Sequence, residues 1–365
     1  MDRGNGGVGV GLWFLLMVVM VEYSLACGRC SSPILFNFGD SNSDTGGYTA
    51  GFGVNFPLPD GRVFFHRSTG RPCDGRLIID FLCESLNTSY LSPYLESLQS
   101  DFRNGANFAI SGSTSLPRDR PFALYMQLQQ FLHFKSRSLD LIKQGSKGLL
   151  SEEDFKNALY TIDMGQTDLA AAFFFHFTFD QVLVRIPFVI AEIRNVVQTL
   201  YDNGGRNFWI HNTGPLGCLP QNLALPRLND SDLDANGCLI TYNNAAKKFN
   251  AELSNLCNEL NSELKNATVV YTDIYAIKYD LIANHNKYGF VNPLMACCGS
   301  GGPPYNYNPN ITCLSPGYQV CNDGSKYISW DGVHYSEAAN SVVASQILTS
   351  NYSKPKIKFD SFFKA

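Results

Sequence analysis

Residues 36–47 read FNFGDSNSDTGG, and they continue SSPILF at 31–36. The apolar run predicts a buried strand over residues 34–38 that ends at Gly39. The chain then turns at Asp40-Ser41, with Asp44, Gly46 and Gly47 close behind. Gly, Asp, Ser and Asn are turn residues for ordinary steric and hydrogen-bonding reasons. A serine at the carboxyl end of a core strand is also where an open α/β sheet places its ligands. Ser41 is therefore either a plain turn residue or a nucleophile, and the rest of the chain has to decide.

Working outward, short apolar runs recur at 107–110, 158–164, 207–211 and 268–274 and read as four more strands. Helical patterns separate them. Residues 181–202 place Val182, Ile186, Val189, Ile193, Val197 and Leu200 close to a 3.6 period. Pro187 lies inside that pattern and marks a helix start or a kink. Residues 236–264 and 335–350 give two further helices. Strand–helix alternation predicts a mainly parallel sheet covered on both faces, joined by right-handed crossovers. No repeat, linker or composition break appears, and the Pro/Gly-rich stretch 299–317 reads as a long loop before the last helix. The expectation is a single domain over 27–365.

The bulk numbers fit that reading. The 365 residues are 45% hydrophobic and 16% charged, enough for a large core. The net charge of −4 and the lack of a long basic run argue against a nucleic-acid partner. Arg3, the apolar run 12–21, Glu22 and Ser24-Leu25-Ala26 read as a signal peptide over residues 1–26. No second run suggests stable membrane insertion. Five sequons, at Asn87, Asn229, Asn266, Asn310 and Asn351, are candidate glycan sites and support a secretory route to the cell wall or the Golgi lumen. Eleven cysteines leave at least one without an intramolecular partner, and disulfides are the default in that compartment. Cys27 and Cys30 read as structural, and the adjacent Cys297 and Cys298 are expected to bond elsewhere.

A serine nucleophile needs a base, and the base an orienting carboxylate. Of six histidines, His211 and His133 read as core or interface residues, and His66, His176 and His285 lack a suitably spaced acid. His334 has one, because DGVH puts Asp331 three residues before it, on one side of a turn opening the last helix. Asp331 also suits a plain N-cap. An oxyanion hole needs donors placed in advance. Candidates are the Ser41 N–H at a helix start, Gly112 after the second strand, and the 165–168 stretch after the third. The run AAAFFFHFTF at 170–179 invites an acyl-chain reading, but packing on the core is the simpler one.

These blocks, GDSNSDTGG, ANFAISGS, GQTD and DGVH, together with NTGPLGCLP at 212–220, resemble in order and spacing the plant GDSL esterase/lipase family of SGNH hydrolases. The resemblance covers essentially the whole chain after the leader. It implies a three-layer, flavodoxin-like α/β/α sandwich with a five-stranded parallel sheet, no metal or other cofactor, and hydrolysis of carboxylic esters. It assigns Ser41 as nucleophile, His334 as base, Asp331 as its partner and Gly112 as an oxyanion donor. The family's third block carries Asn as a further donor, where this chain has Thr167. A shorter, β-branched side chain there implies a slower esterase, a shifted hole or a glycan-binding relative. The stretches GRLIIDFL, YAIKYDLIAN and YISWDGVHY resemble the branch with cell-wall polysaccharide acetylesterases. That implies O-acetyl groups on a glycan such as xylan, with Tyr305, Tyr307, Tyr318, Tyr327 and Tyr335 suited to sugar stacking. An acyltransferase or a lipase using the same acyl-enzyme is the rival reading. No protein partner is evident.

Overall fold

The computed structural model describes residues 32–118, 121–227 and 229–363. The expected signal peptide, Cys27 and Cys30 lie outside the described residues. Five parallel strands build the sheet: β1 (Leu35–Gly39), β2 (Gly105–Asn107), β3 (Leu159–Asp163), β4 (Asn207–His211) and β5 (Thr268–Thr272), in the order β5-β4-β3-β1-β2. A sixth, Ser353–Lys354, pairs antiparallel with β5 at the edge, an addition to the expected five. The central strands read as nearly continuous apolar runs because both of their faces are covered, as helix-flanked parallel sheets require.

The strand order reverses between β1 and β3, and a doubly wound sheet opens its ligand crevice at that point, beyond the strands' carboxyl ends. Ser41 follows β1, and Thr167 follows β3 at the start of the helix Gln166–Phe174. The topology therefore aims both at one crevice.

Phe36 and Phe38 project from one face of β1 into an aromatic core with Phe108, Phe131 and Phe155, Phe36 stacking on Phe155 at 5.4 Å. On the other face of β1, Asn37 Nδ2 donates to Asn107 Oδ1 (2.8 Å) and Asn37 Oδ1 accepts from Thr161 Oγ1 (2.7 Å), linking three strands in register. The expected second strand at 107–110 starts and ends earlier. Residues 108–110 still bond to β1, Phe108 N–H to Asn37 O and Ile110 N–H to Gly39 O, but as a departing loop. The helix expected over 181–202 runs Phe179–Asp202 straight through an exposed Pro187, capped by Thr178 with Gln181.

Three disulfides join Cys218–Cys238, Cys297–Cys321 and Cys298–Cys313, so Cys297 and Cys298 do bond elsewhere; Cys73, Cys83 and Cys257 are buried thiols. Among the described residues no helix is long and apolar enough to cross a membrane.

Candidate active site

The turn carrying Ser41 is built by what holds its two sides. A Cβ on Gly39 would stand 2.4 Å from Ser43 Oγ and 2.9 Å from the Asp163 carbonyl, so glycine is needed for the chain to reverse there. Gln127, from the helix Leu124–Lys143, grips Gly39 with both ends of its amide, at 2.9 and 2.8 Å. Asp40 Oδ1 accepts from the Asn42 N–H and side-chain amide. Ser41 is buried in this turn and not at a helix start, since the next helix begins at Gly47.

Asp44 ties the turn to the second block. Its carboxylate accepts from the N–H groups of Gly46, Gly47 and Tyr48 and from both the N–H and the hydroxyl of Ser111. Gly112 follows Ser111 with φ +81°, a conformation glycine adopts without penalty. Asn107 reaches the same turn from beneath, its amide donating to Ser43 O and Thr45 Oγ1.

Thr167 opens the helix after β3 and faces Asp40. Its hydroxyl donates to Asp40 Oδ2 at 2.8 Å, and its N–H donates to the same oxygen at 3.2 Å. Burial pushes the Asp40 carboxyl up, with Asp163 adding to the effect, while Asn42 and Thr167 pull the other way.

DGVH lies in a turn before the last helix rather than inside it. The helix is Glu337–Leu348, and its N-cap is Ser336, so Asp331 is not the cap. Asp331 Oδ1 instead accepts from the N–H groups of Val333 and His334. Oδ2 meets His334 Nδ1 at 2.6 Å, which orients the ring and leaves Nε2 buried with no partner. Gly332 sits between them with φ +96°, where a Cβ would strike the Tyr307 ring at 2.3 Å. The turn is anchored through Trp330, whose N–H donates to His334 O and whose carbonyl accepts from Cys298 N–H. Burial alone would lower the His334 pKa, but the charge and hydrogen bond of Asp331, with Asp40 and Asp60 farther off, hold it above its ordinary value. Burial would raise Asp331; the imidazole and its hydrogen bonds more than offset that and hold the carboxyl low. Asp60, bonded to Trp330 Nε1 at 2.9 Å, is pushed up to about 7 by burial, with nearby Asp331 contributing.

His211 is buried, 4.0 Å from Asp163, with Nε2 unpartnered rather than satisfied, and His133 is exposed rather than in the core. Tyr335 is buried, and Tyr318 and Tyr327 pack on the disulfide cluster around Trp330, leaving Tyr305 and Tyr307 on an open cleft. All five sequon asparagines are exposed. The Phe run packs only in part: Phe173 stacks on Tyr242 at 4.0 Å, whereas Phe174 is 76% and Phe175 50% exposed. Sequence reasoning passed over Asp40, Asp44, Asn37, Asn107 and Asp60. Asn37 was the available signal, a polar residue in a strand buried on both faces.

The sequence profile of the GDSL-like Lipase/Acylhydrolase family matches residues 35–347, and the chain belongs to that family of serine ester hydrolases and lipases. It is 55% identical to the GDSL esterase/lipase LIP-4 of Arabidopsis thaliana, over 95% of this chain and 94% of the relative. It is 56% identical to GDSL esterase/lipase At1g09390 of the same plant, over 96% of each chain. It is also 42% identical, over 92% of this chain and 95% of the relative, to the Arabidopsis protein named Alpha-L-fucosidase 3.

Proposed function

We propose that the protein hydrolyses carboxylic esters through Ser41, His334 and Asp331. The observation that carries this reading is the His334–Asp331 pair, whose Nδ1 contact leaves Nε2 buried and unpartnered. In the proposed reaction Nε2 takes the Ser41 proton as Oγ attacks the ester carbonyl. The N–H groups of Ser41 and Gly112 meet the oxyanion. His334 returns the proton to the departing alcohol, and water then attacks the acyl-enzyme by the same route. Thr167 is left out because Asp40 engages its hydroxyl. That engagement favours the alternative of a slow or non-catalytic glycan binder.

The alcohol part is read as a sugar, with O-acetyl groups on a cell-wall polysaccharide such as xylan as the expected substrate. An open cleft lined by Tyr305, Tyr307, Arg227 and Asp230 supports this. It adjoins the His334 turn through Tyr307 on Gly332 and through the Gln221 N–H to Gly332 O. Arg227 bonds both Asp230 and the Tyr305 hydroxyl, an aromatic face beside fixed polar groups of the kind a sugar ring uses. The sugar in the name of the third relative points the same way. Secretion with N-glycans at the five sequons completes the proposal. Release of acetate from acetylated xylan by the secreted wild type, and its loss in Ser41→Ala, is the expected result. Equal release by both would overturn it.

A further inference from the structure

The Ser41 and His334 turns lie far apart in the chain, and the segment 60–76 touches the surroundings of both. On the nucleophile's side, Arg71 donates to the Thr45 carbonyl at 3.3 Å, and a Cβ on Gly70 would stand 2.7 Å from Gly46 Cα. On the histidine's side the segment holds the chain before and after the turn. Before it, Asp60 Oδ1 accepts from Trp330 Nε1–H at 2.9 Å, and the Arg62 guanidinium lies 5.2 Å from the Trp330 ring centre. After it, the Cys73 thiol donates to the Tyr335 carbonyl at 3.4 Å, and Asp74 Oδ1 accepts from the Glu337 N–H at 2.7 Å. Two backbone bonds of 2.8 Å, Gly61 N–H to Cys73 O and Val63 N–H to Asp74 O, join the two holds.

Asp60 is the unusual member of this set. It is buried, and among the described residues the Trp330 indole is the one hydrogen-bond donor to its carboxylate. Burying a charge costs more than burying a neutral group, and a carboxamide would accept the same indole proton. The charge therefore needs a reason beyond holding the ring. Trp330 supplies the path to it, since its backbone N–H donates to the His334 carbonyl at 2.8 Å. The charge of Asp60 also reaches the imidazole, adding to those of Asp331 and Asp40. Burial, with Asp331 and Asp74, pushes the Asp60 carboxyl up to about 7, while the indole bond and His334 pull it down. Arg62 acts on Asp74 beside it, and burial keeps the Cys73 thiol neutral. Asp60 is thus ionised above neutral pH, where the neutral imidazole that the proposed reaction requires is also present.

We propose that Asp60 is a positioning residue for His334: it holds the Trp330 indole so that the turn presents the imidazole to Ser41, and its carboxylate stabilises the imidazolium formed when Ser41 gives up its proton. Its consequence for turnover rests on the esterase reading, but its effect on the imidazole does not. That effect is read in Ser41→Ala by NMR titration of the His334 ring, assigned by its loss in His334→Gln. Asp60→Asn keeps an acceptor for the indole and removes the charge, so His334 should titrate lower by about half a unit or more. An unmoved titration overturns the proposal. With Ser41 present, Asp60→Asn should move the acid limb of p-nitrophenyl acetate hydrolysis down by a similar amount. Asp60→Leu, which also leaves the indole N–H unpaired, should lower kcat by about tenfold or more and change KM less. Trp330→Phe removes the donor and keeps a ring, and combined with Asp60→Leu it should cost no more than the larger single loss. Fully additive losses, or an unaltered kcat in Asp60→Leu, overturn the positioning role. If the titration moves but wild type hydrolyses no ester, the esterase reading fails and the hold of Asp60 on His334 stands.

Discussion

Thr167 stands where the family pattern has asparagine, with a β-branched hydroxyl in place of a carboxamide, and its surroundings decide what that difference does. The hydroxyl donates to Asp40, and while that bond holds, the proposed oxyanion hole has only its backbone donors. Thr167→Asn should therefore raise kcat on p-nitrophenyl acetate, by up to about 10²-fold if the amide reaches the oxyanion. A fall instead would mean that the threonine hydroxyl already serves it. His334 carries a second prediction. Only neutral imidazole accepts the Ser41 proton, and Asp331 holds its pKa above the ordinary value near 6.5. Activity should fall as pH drops through a value above about 6.5, and Asp331→Asn should move that limb to lower pH and cost about 10⁴ in kcat. An acid limb that stays put in Asp331→Asn would contradict the pairing. The linkage to stability has the opposite direction. A raised histidine value means that protonated His334 stabilises the fold fully below the unfolded value and loses that contribution as pH rises through the folded one. The Asp331–His334 contact was legible because few residue types can pair with an imidazole at that spacing. The Thr167–Asp40 bond was not, since it joins a helix start to a turn 127 residues away, and only the sheet determines that they face each other.

At the scale of elements, Asn107 bears the most weight for its size. It accepts from Asn37 and from Ala109 N–H, and donates to Ser43 O and Thr45 Oγ1. Asn107→Ala removes all four bonds, strips the Ala109 N–H of its acceptor and should cost about 3 kcal/mol in urea unfolding. A loss under about 1 kcal/mol would mean that water replaces the amide. The strands β1, β3, β4 and β5 were readable from sequence because strands buried on both faces are short apolar runs. The second strand was misplaced because Phe108, Ala109 and Ile110 are the apolar part, while the pairing segment is Gly105–Asn107. Gly105 lies at φ +105°, where a Cβ would be 1.7 Å from Leu35 O, so close approach rather than hydropathy selects that strand. The last helix starts late because Ser336, two residues past His334, caps it. A 3.6 period does not distinguish a helical turn from the Asp331 turn before it.

Across the whole molecule, the site divides between the sheet and a disulfide-bound segment. Ser41, Gly112 and Thr167 follow strands of the sheet, whereas the His334 turn hangs on Trp330, beside Cys297–Cys321 and Cys298–Cys313. Replacing Cys298 and Cys313 by serine opens a loop with a sequence separation of 15 and should cost about 3 kcal/mol of stability. It should also lower kcat more than KM changes, because the histidine loses its anchor; unaltered kcat would place the turn's support elsewhere. The pairing of these cysteines was closed to sequence reasoning, since spacing alone does not choose among partners. In the proposed reaction Ser41 is the group that His334 activates. The direct measurement is mass spectrometry of the secreted protein after treatment with the ester-mimicking phosphate diethyl p-nitrophenyl phosphate. The account predicts one phosphoryl adduct, on the peptide containing Ser41, formed in wild type and lost in His334→Gln. An adduct on another residue, or one on Ser41 that forms as fast without His334, would contradict it.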